Sequence, residues 1–300
     1  MTERPIVTVD YYSGNGILPF QKLHDAYGIT LFFRKFSMGG GPDIWLEKDV
    51  PLLRNAGGIL GGTHWVDPTQ NAKNQGDYFL YQINKWKPAV LLYDIEQWWA
   101  IWGRQNPGKK ADGTDIDPHI PSQKILDSTA TIVEYVNARA GLPYLLYTGR
   151  WFTISYCPQL GQWIGAQPAM LASYPDYYFL WPPAPAKPAR LTYRPQDYSL
   201  LTPRPVDLLD YMARMDTKWM AVPTGVTNVK LWQITSRLVL PECNGDPYDY
   251  SRWLGDEADF RSFLRLDPSS TPIPPVVDAR PIEVRLADLE RRVGILEAKP

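Results

Sequence analysis

Four runs in the first hundred residues are apolar, β-branched or aromatic almost throughout: PIVTVDYY (5–12), ITLFFRKF (29–36), GGILGGTHWV (57–66) and PAVLLYDIE (88–96). Strands read this way when both of their faces are covered, as in a parallel sheet. Between them lie PFQKLHDAYG, WLEKDVPLLRNAGG and TQNAKNQGDYFLYQINKW, whose apolar residues recur at helical spacing. Glycine follows the first two where a helix C-cap is expected. Strands alternating with helices imply an α/β chain with a parallel sheet and right-handed crossovers.

The rhythm continues through SQKILDSTATIVEYVNARAG (122–141, helix) into LPYLLYTG (142–149, strand), with further strands expected around 170–174 and 229–235. There is too little room for eight full β/α units before the chain changes character. An incomplete barrel with fewer helices than strands therefore fits better than a doubly wound sheet, and a chain of 300 residues accommodates such a barrel as one unit. Two long stretches interrupt the pattern: WAIWGRQNPGKKADGTDIDPHIP after Glu96, and the proline-rich 181–205. Long loops at the C-terminal ends of barrel strands commonly wall a binding cleft.

Acidic residues collect at the same kind of position. Asp94 and Glu96 end the fourth run, two residues apart and so on one face of a strand. Asp10 closes the first run, and Asp249, in DPYDYSRW, follows the last strand candidate. A single acid at a strand terminus is ordinarily solvated, but several strand ends carrying acids suit a polar cleft. Neighbouring carboxylates provide general acid chemistry because repulsion raises one pKa and leaves the other group ionised.

Formal net charge is −1, which gives no global field toward nucleic acid or an anionic membrane. No segment approaches the apolar length of a membrane span, and MTERPIVTVDYY has no signal-peptide pattern, so cytoplasmic synthesis without an export signal is expected. Cys157 and Cys243 lie far apart without metal-ligand spacing; no metal and no cofactor is expected. After a catalytic unit over 1–266, the proline-rich 267–281 reads as an extended linker. In 282–300, Ile282, Leu286, Leu289, Val293 and Leu296 follow heptad spacing over little more than two repeats, a short helix suited to self-association or attachment to a particle through 282–298.

In order along the chain, VDYYSGNG, GGTHWV, LLYDIE, YLLYTGRWF, LASY, KLWQIT and YDYSRWLG resemble the motifs of family 25 glycoside hydrolases, the Chalaropsis-type lysozymes or N-acetylmuramidases. The resemblance implies an irregular, flattened barrel of about eight strands and about five helices, and hydrolysis of the β-1,4 bond between N-acetylmuramic acid and N-acetylglucosamine in peptidoglycan. It matches Glu96 to the family's general acid and Asp94 to a charge-stabilising or substrate-orienting carboxylate, and matches Asp10 and Asp249 to the family's other motif aspartates. Thr63, Met170 and Ser251 depart from the family's usual tyrosine, tryptophan and asparagine.

Tyr12, Trp65, Trp98, Tyr147, Tyr174 and Trp232 sit at or beyond strand ends and are the aromatic candidates for a sugar cleft. His64 reads first as a satisfied buried histidine and second as a substrate contact. The resemblance places the enzyme with phage or prophage lysins, or with wall-cutting components of a particle, acting on the bacterial wall after release. The alternatives are a catalytically silent glycan-binding or structural module on the same fold, and a chitin-type barrel hydrolase. The latter is disfavoured because KPAVLLYDIE supplies only the last two acids of a DxxDxDxE signature.

Overall fold

A computed structural model describes residues 4–100, 109, 119–174, 208–243 and 247–266. Most of the two long interruptions, the 267–281 linker and the 282–300 heptads lie outside the described residues.

The strands are β1 (Val7–Tyr11), β2 (Leu31–Met38), β3 (Gly41–Pro42), β4 (Ile59–Trp65), β5 (Val90–Asp94), β6 (Tyr144–Gly149), β7 (Ala169–Ala172), β8 (Val229–Val239) and β9 (Pro247–Trp253). The longer helices are α1 (Phe20–Tyr27), α2 (Leu46–Asn55), α3 (Ala72–Trp86) and α4 (Ser122–Ala140). Short helices follow: α5 (Arg150–Ser155), α6 (Leu160–Ile164), α7 (Leu208–Arg214) and α8 (Glu257–Phe263). Each of the first four matches a stretch read as helical from apolar spacing. Gly28 and Gly141 end α1 and α4 in the left-handed conformation, at φ 68° and 62°, as a C-cap glycine does.

Pairing runs β1-β9-β8-β7-β6-β5-β4-β2, and β1 also pairs with β2, so eight strands close into a barrel with β3 appended to β2. All neighbours from β1 through β8 by way of β2 and β4 are parallel; β9 alone among the barrel strands runs antiparallel, between β8 and β1. Asp249 is thus not beyond the last strand, as the sequence reading had it, but inside a final strand of opposite direction.

Strand alternation sorts the side chains into two layers. Facing the helices are Val7, Val9, Phe32, Phe36, Leu91, Tyr93, Leu146, Leu171, Trp232 and Tyr250. Inside the barrel are Leu31, Phe33, Val90, Leu92, Leu145, Met170, Leu231 and Trp253. Phe260 and Leu264, from α8 and the residue after it, join this inner cluster beside Trp253, which lies at the N-terminal end of the parallel strands. That end of the barrel is therefore plugged with apolar side chains, and the opposite end is left to polar ones.

Candidate active site

The parity that sends Val90 and Leu92 into the barrel carries Asp94 the same way, and Glu96 follows beyond the strand end. A cavity of about 550 Å³ opens there. Asp10, Asp94, Glu96 and Asp249 all line it, together with Tyr12, Trp65 and Tyr147. Strands β1, β5 and β9, distant in sequence, thus deliver four carboxylates to one mouth.

Asp10 and Asp249 are direct cross-strand partners in the antiparallel β1–β9 pair. Burial raises the Asp10 carboxyl well above the usual range and the Asp249 charge adds to this, while a hydrogen bond from Gln233 opposes it. Asp249 is pushed up to about 7, chiefly by burial, with a hydrogen bond from Asp10 opposing and the Glu96 and Asp94 charges adding.

Burial pushes Asp94 up to about 6, against the pull of the Lys35 ammonium. Glu96 is held well above the ordinary glutamate value by burial first and by the Asp94 charge second. Lys35 is the one cation among the described residues that line the cavity. Its ammonium sits 4.2 Å from the centre of the Trp65 ring and 5.0 Å from that of Tyr12, within cation–π range of both. Asp94 Oδ1 is buried and has no hydrogen-bond partner among the described residues.

The remaining candidates divide. Tyr174 lies beside the acids, its hydroxyl donating to Gln233 Oε1 at 2.6 Å. His64 is fully buried on the helix side of β4, 2.8 Å from Ser37 Oγ and stacked on Phe79, and burial lowers its pKa to about 3, so it is a neutral core histidine. Trp98 stacks on Tyr156, with centroids 4.6 Å apart and planes 7° from parallel, and is not among the cavity's lining residues. Trp232 requires a correction: it is fully buried under the helices and its Nε1 donates to the Ser173 carbonyl. Its neighbour Gln233 takes the inward position, so strand parity excludes Trp232 from the cleft.

Lys35, Thr63 and Gln233 belong to the site; Thr63 was noted in the sequence only as a departure from the family pattern, and Lys35 and Gln233 were not singled out. The available signal was parity: Lys35 stands two residues after Phe33, and Gln233 two after Leu231, both inward positions. A bulge between Lys35 and Ser37 then resets the register of β2, so that Met38 also faces the cavity. No group of three or more His, Cys, Asp or Glu among the described residues is arranged to hold a metal ion. Cys157 and Cys243 are free and buried.

A closed α/β barrel whose mouth gathers paired carboxylates beside aromatic rings defines the class of a glycoside hydrolase. The sequence matches the family model Glycosyl hydrolases family 25 over residues 9–179, and the chain belongs to that family. The match contains Asp10, Asp94 and Glu96; Asp249 and Gln233 lie beyond it.

The structure is similar to a family 25 glycosyl hydrolase from Bacillus anthracis, with TM-score 0.57, 17% identity and coverage of 87% of this chain and 94% of that one. It is similar to the bacterial lysozyme from Streptomyces coelicolor, with TM-score 0.56, 14% identity and coverage of 90% and 100%. It also resembles the catalytic domain of endolysin ply40 from bacteriophage P40 of Listeria monocytogenes, with TM-score 0.55, 14% identity and coverage of 88% and 99%. At these identities the likeness is one of fold. No curated protein matches the sequence.

Proposed function

We propose that this glycoside hydrolase is a peptidoglycan muramidase that cleaves the β-1,4 bond between N-acetylmuramic acid and N-acetylglucosamine. The observation that carries the reading is the convergence of four carboxylates, in unlike electrostatic settings, on one cavity. Glycosidic cleavage needs a proton for the leaving oxygen and negative charge, or a participating group, near the oxocarbenium-like centre. Titratable pairs whose environments push their pKa values apart indicate which group does which.

Glu96, raised by both burial and the neighbouring charge, is the general acid. Asp94, drawn back toward ionisation by Lys35, is the carboxylate that steadies positive charge or orients the substrate acetamide. Asp10 and Asp249 complete the acidic floor, and Tyr12, Trp65 and Tyr147 provide ring faces for sugar. Thr63 in the lining, where the family resemblance leads one to expect tyrosine, leaves a smaller side chain at that subsite.

Support for a wall-cutting enzyme of a phage or a particle comes from the similarity to a phage endolysin's catalytic domain. In that setting the chain acts on the bacterial wall after release or as a particle component, with 282–298 as the attachment segment. The test is turbidity loss of purified peptidoglycan with wild type and with Glu96→Gln, followed by reducing-end analysis. Clearing by wild type only, with muramic acid ends, is the expected result. Glucosamine ends would assign another bond specificity, and an inert wild type would leave a silent glycan-binding module.

A further inference from the structure

Gln233 is buried at the inner face of β8 and is held by bonds at both ends of its amide. Its Oε1 accepts from the Tyr147 hydroxyl at 2.9 Å and from the Tyr174 hydroxyl at 2.6 Å. Its Nε2 donates to Asp10 Oδ2 at 3.0 Å. In this orientation two hydroxyl donors meet the amide oxygen and an oxygen of Asp10 accepts from the amide nitrogen. Asp10 is also hydrogen-bonded to Asp249, its cross-strand partner.

We propose that Gln233 is a positioning residue: aimed by the Tyr147 and Tyr174 hydroxyls, its amide commits Asp10 Oδ2 to accepting, so the proton shared by the Asp10–Asp249 pair lies between Asp249 and the other Asp10 oxygen. This rests on the glycosidase reading for its catalytic meaning. The pair then carries one negative charge instead of two beside Glu96. The charged and titratable groups facing the pair are Asp94 and Glu96 from the end of β5, Lys35 from β2, Tyr147 from β6 and Tyr174 beyond β7.

Removing the amide donor takes away a bond that favours ionised Asp10. Loss of the pair's proton should therefore move by about one to two units to higher pH. The experiment compares wild type, Gln233→Leu and the double variant Tyr147→Phe with Tyr174→Phe, by carboxyl ¹³C NMR titration of the aspartates and by the pH profile of kcat/KM on peptidoglycan. The expected result is an upward shift of the shared-proton titration and of the alkaline limb in Gln233→Leu, with KM little changed. A smaller shift in the same direction is expected in the double variant, whose amide is free to turn. If Gln233→Leu does not fold, the double variant, which keeps every ring, decides the matter.

Aspartate titrations that stay in place while activity falls equally at all pH values would overturn the proposal and leave Gln233 a packing residue. A shifted titration in a protein whose wild type cuts no peptidoglycan would instead uphold the proton arrangement and overturn the muramidase reading.

Discussion

At the scale of single residues, Glu96 and Asp94 differ in what their surroundings demand. A general acid contributes about 10²–10⁴-fold, so under the role proposed for it Glu96→Gln should lower the rate of peptidoglycan clearing by that factor while leaving the melting temperature at or above that of wild type. Asp94 carries a stability cost that can be read against pH. Its carboxyl titrates near 3.8 unfolded and near 6 folded, so the folded chain holds the extra proton and stability is lost as pH rises through that window. Asp94→Asn should therefore gain on the order of 2 kcal/mol over wild type at pH 7, with the gain vanishing below about pH 4. Thermal melts at the two pH values check it, and an equal gain at both would show that burial of the charge is not the cause. These acids were legible in the sequence because a carboxylate at the end of an apolar run is conspicuous. Gln233 and Lys35 were not, since a polar residue within a strand signals nothing until its parity is known. Trp232 was misplaced for the same reason: nearness to a strand end does not tell which face a residue takes.

At the scale of elements, the cavity wall depends on a buried cation. Arg34 on β2 is fully buried and donates from Nε to Asp49 Oδ2 of α2 at 2.7 Å. Its Nη1 donates to Asp43 Oδ2 at 2.6 Å, and Asp43 Oδ2 also accepts from the Ser13 amide at 3.0 Å. One guanidinium therefore ties α2, the segment after β3 and the turn after β1, and both Ser13 and Asp43 line the cavity. Burial raises the Asp49 carboxyl even against Arg34, so the pair is held by its geometry more than by net gain. Arg34→Met should cost about 3–5 kcal/mol by leaving two buried carboxylates uncompensated. A urea midpoint measures this, and adding Asp49→Asn should recover part of the loss; no recovery would place the cost in packing. Helices α1 to α4 and all seven parallel strands were readable because apolar periodicity or an apolar run marks each of them. The short helices α5 and α6 span too few residues to show a period. Strand β9 hid because DPYDYSRW begins with turn-forming and acidic residues, whose inward-facing members serve the site and not the core.

For the whole molecule, β9 is the piece that converts a parallel sheet into a closed vessel. Running antiparallel between β8 and β1, it brings Asp249 to the open end and Trp253 to the plugged end. The helix that follows secures that plug: Asp256 caps α8 by accepting from the Asp259 amide at 2.7 Å, and Phe260 packs on Trp253 with centroids 5.4 Å apart. Closure is complete by residue 266, so we propose that 267–300 is dispensable for folding and for hydrolysis. A chain ending at 266 should melt within a degree or two of the full chain and release soluble fragments from peptidoglycan at the same rate. The heptad positions Ile282, Leu286, Leu289, Val293 and Leu296 then predict that only the full chain self-associates as concentration rises in sedimentation runs. Association that leaves each cavity unchanged predicts turnover per chain independent of concentration for both forms. A rate that rises with association in the full chain alone would show instead that the tail acts on the cleft, and would move it from an attachment device to part of the catalytic unit.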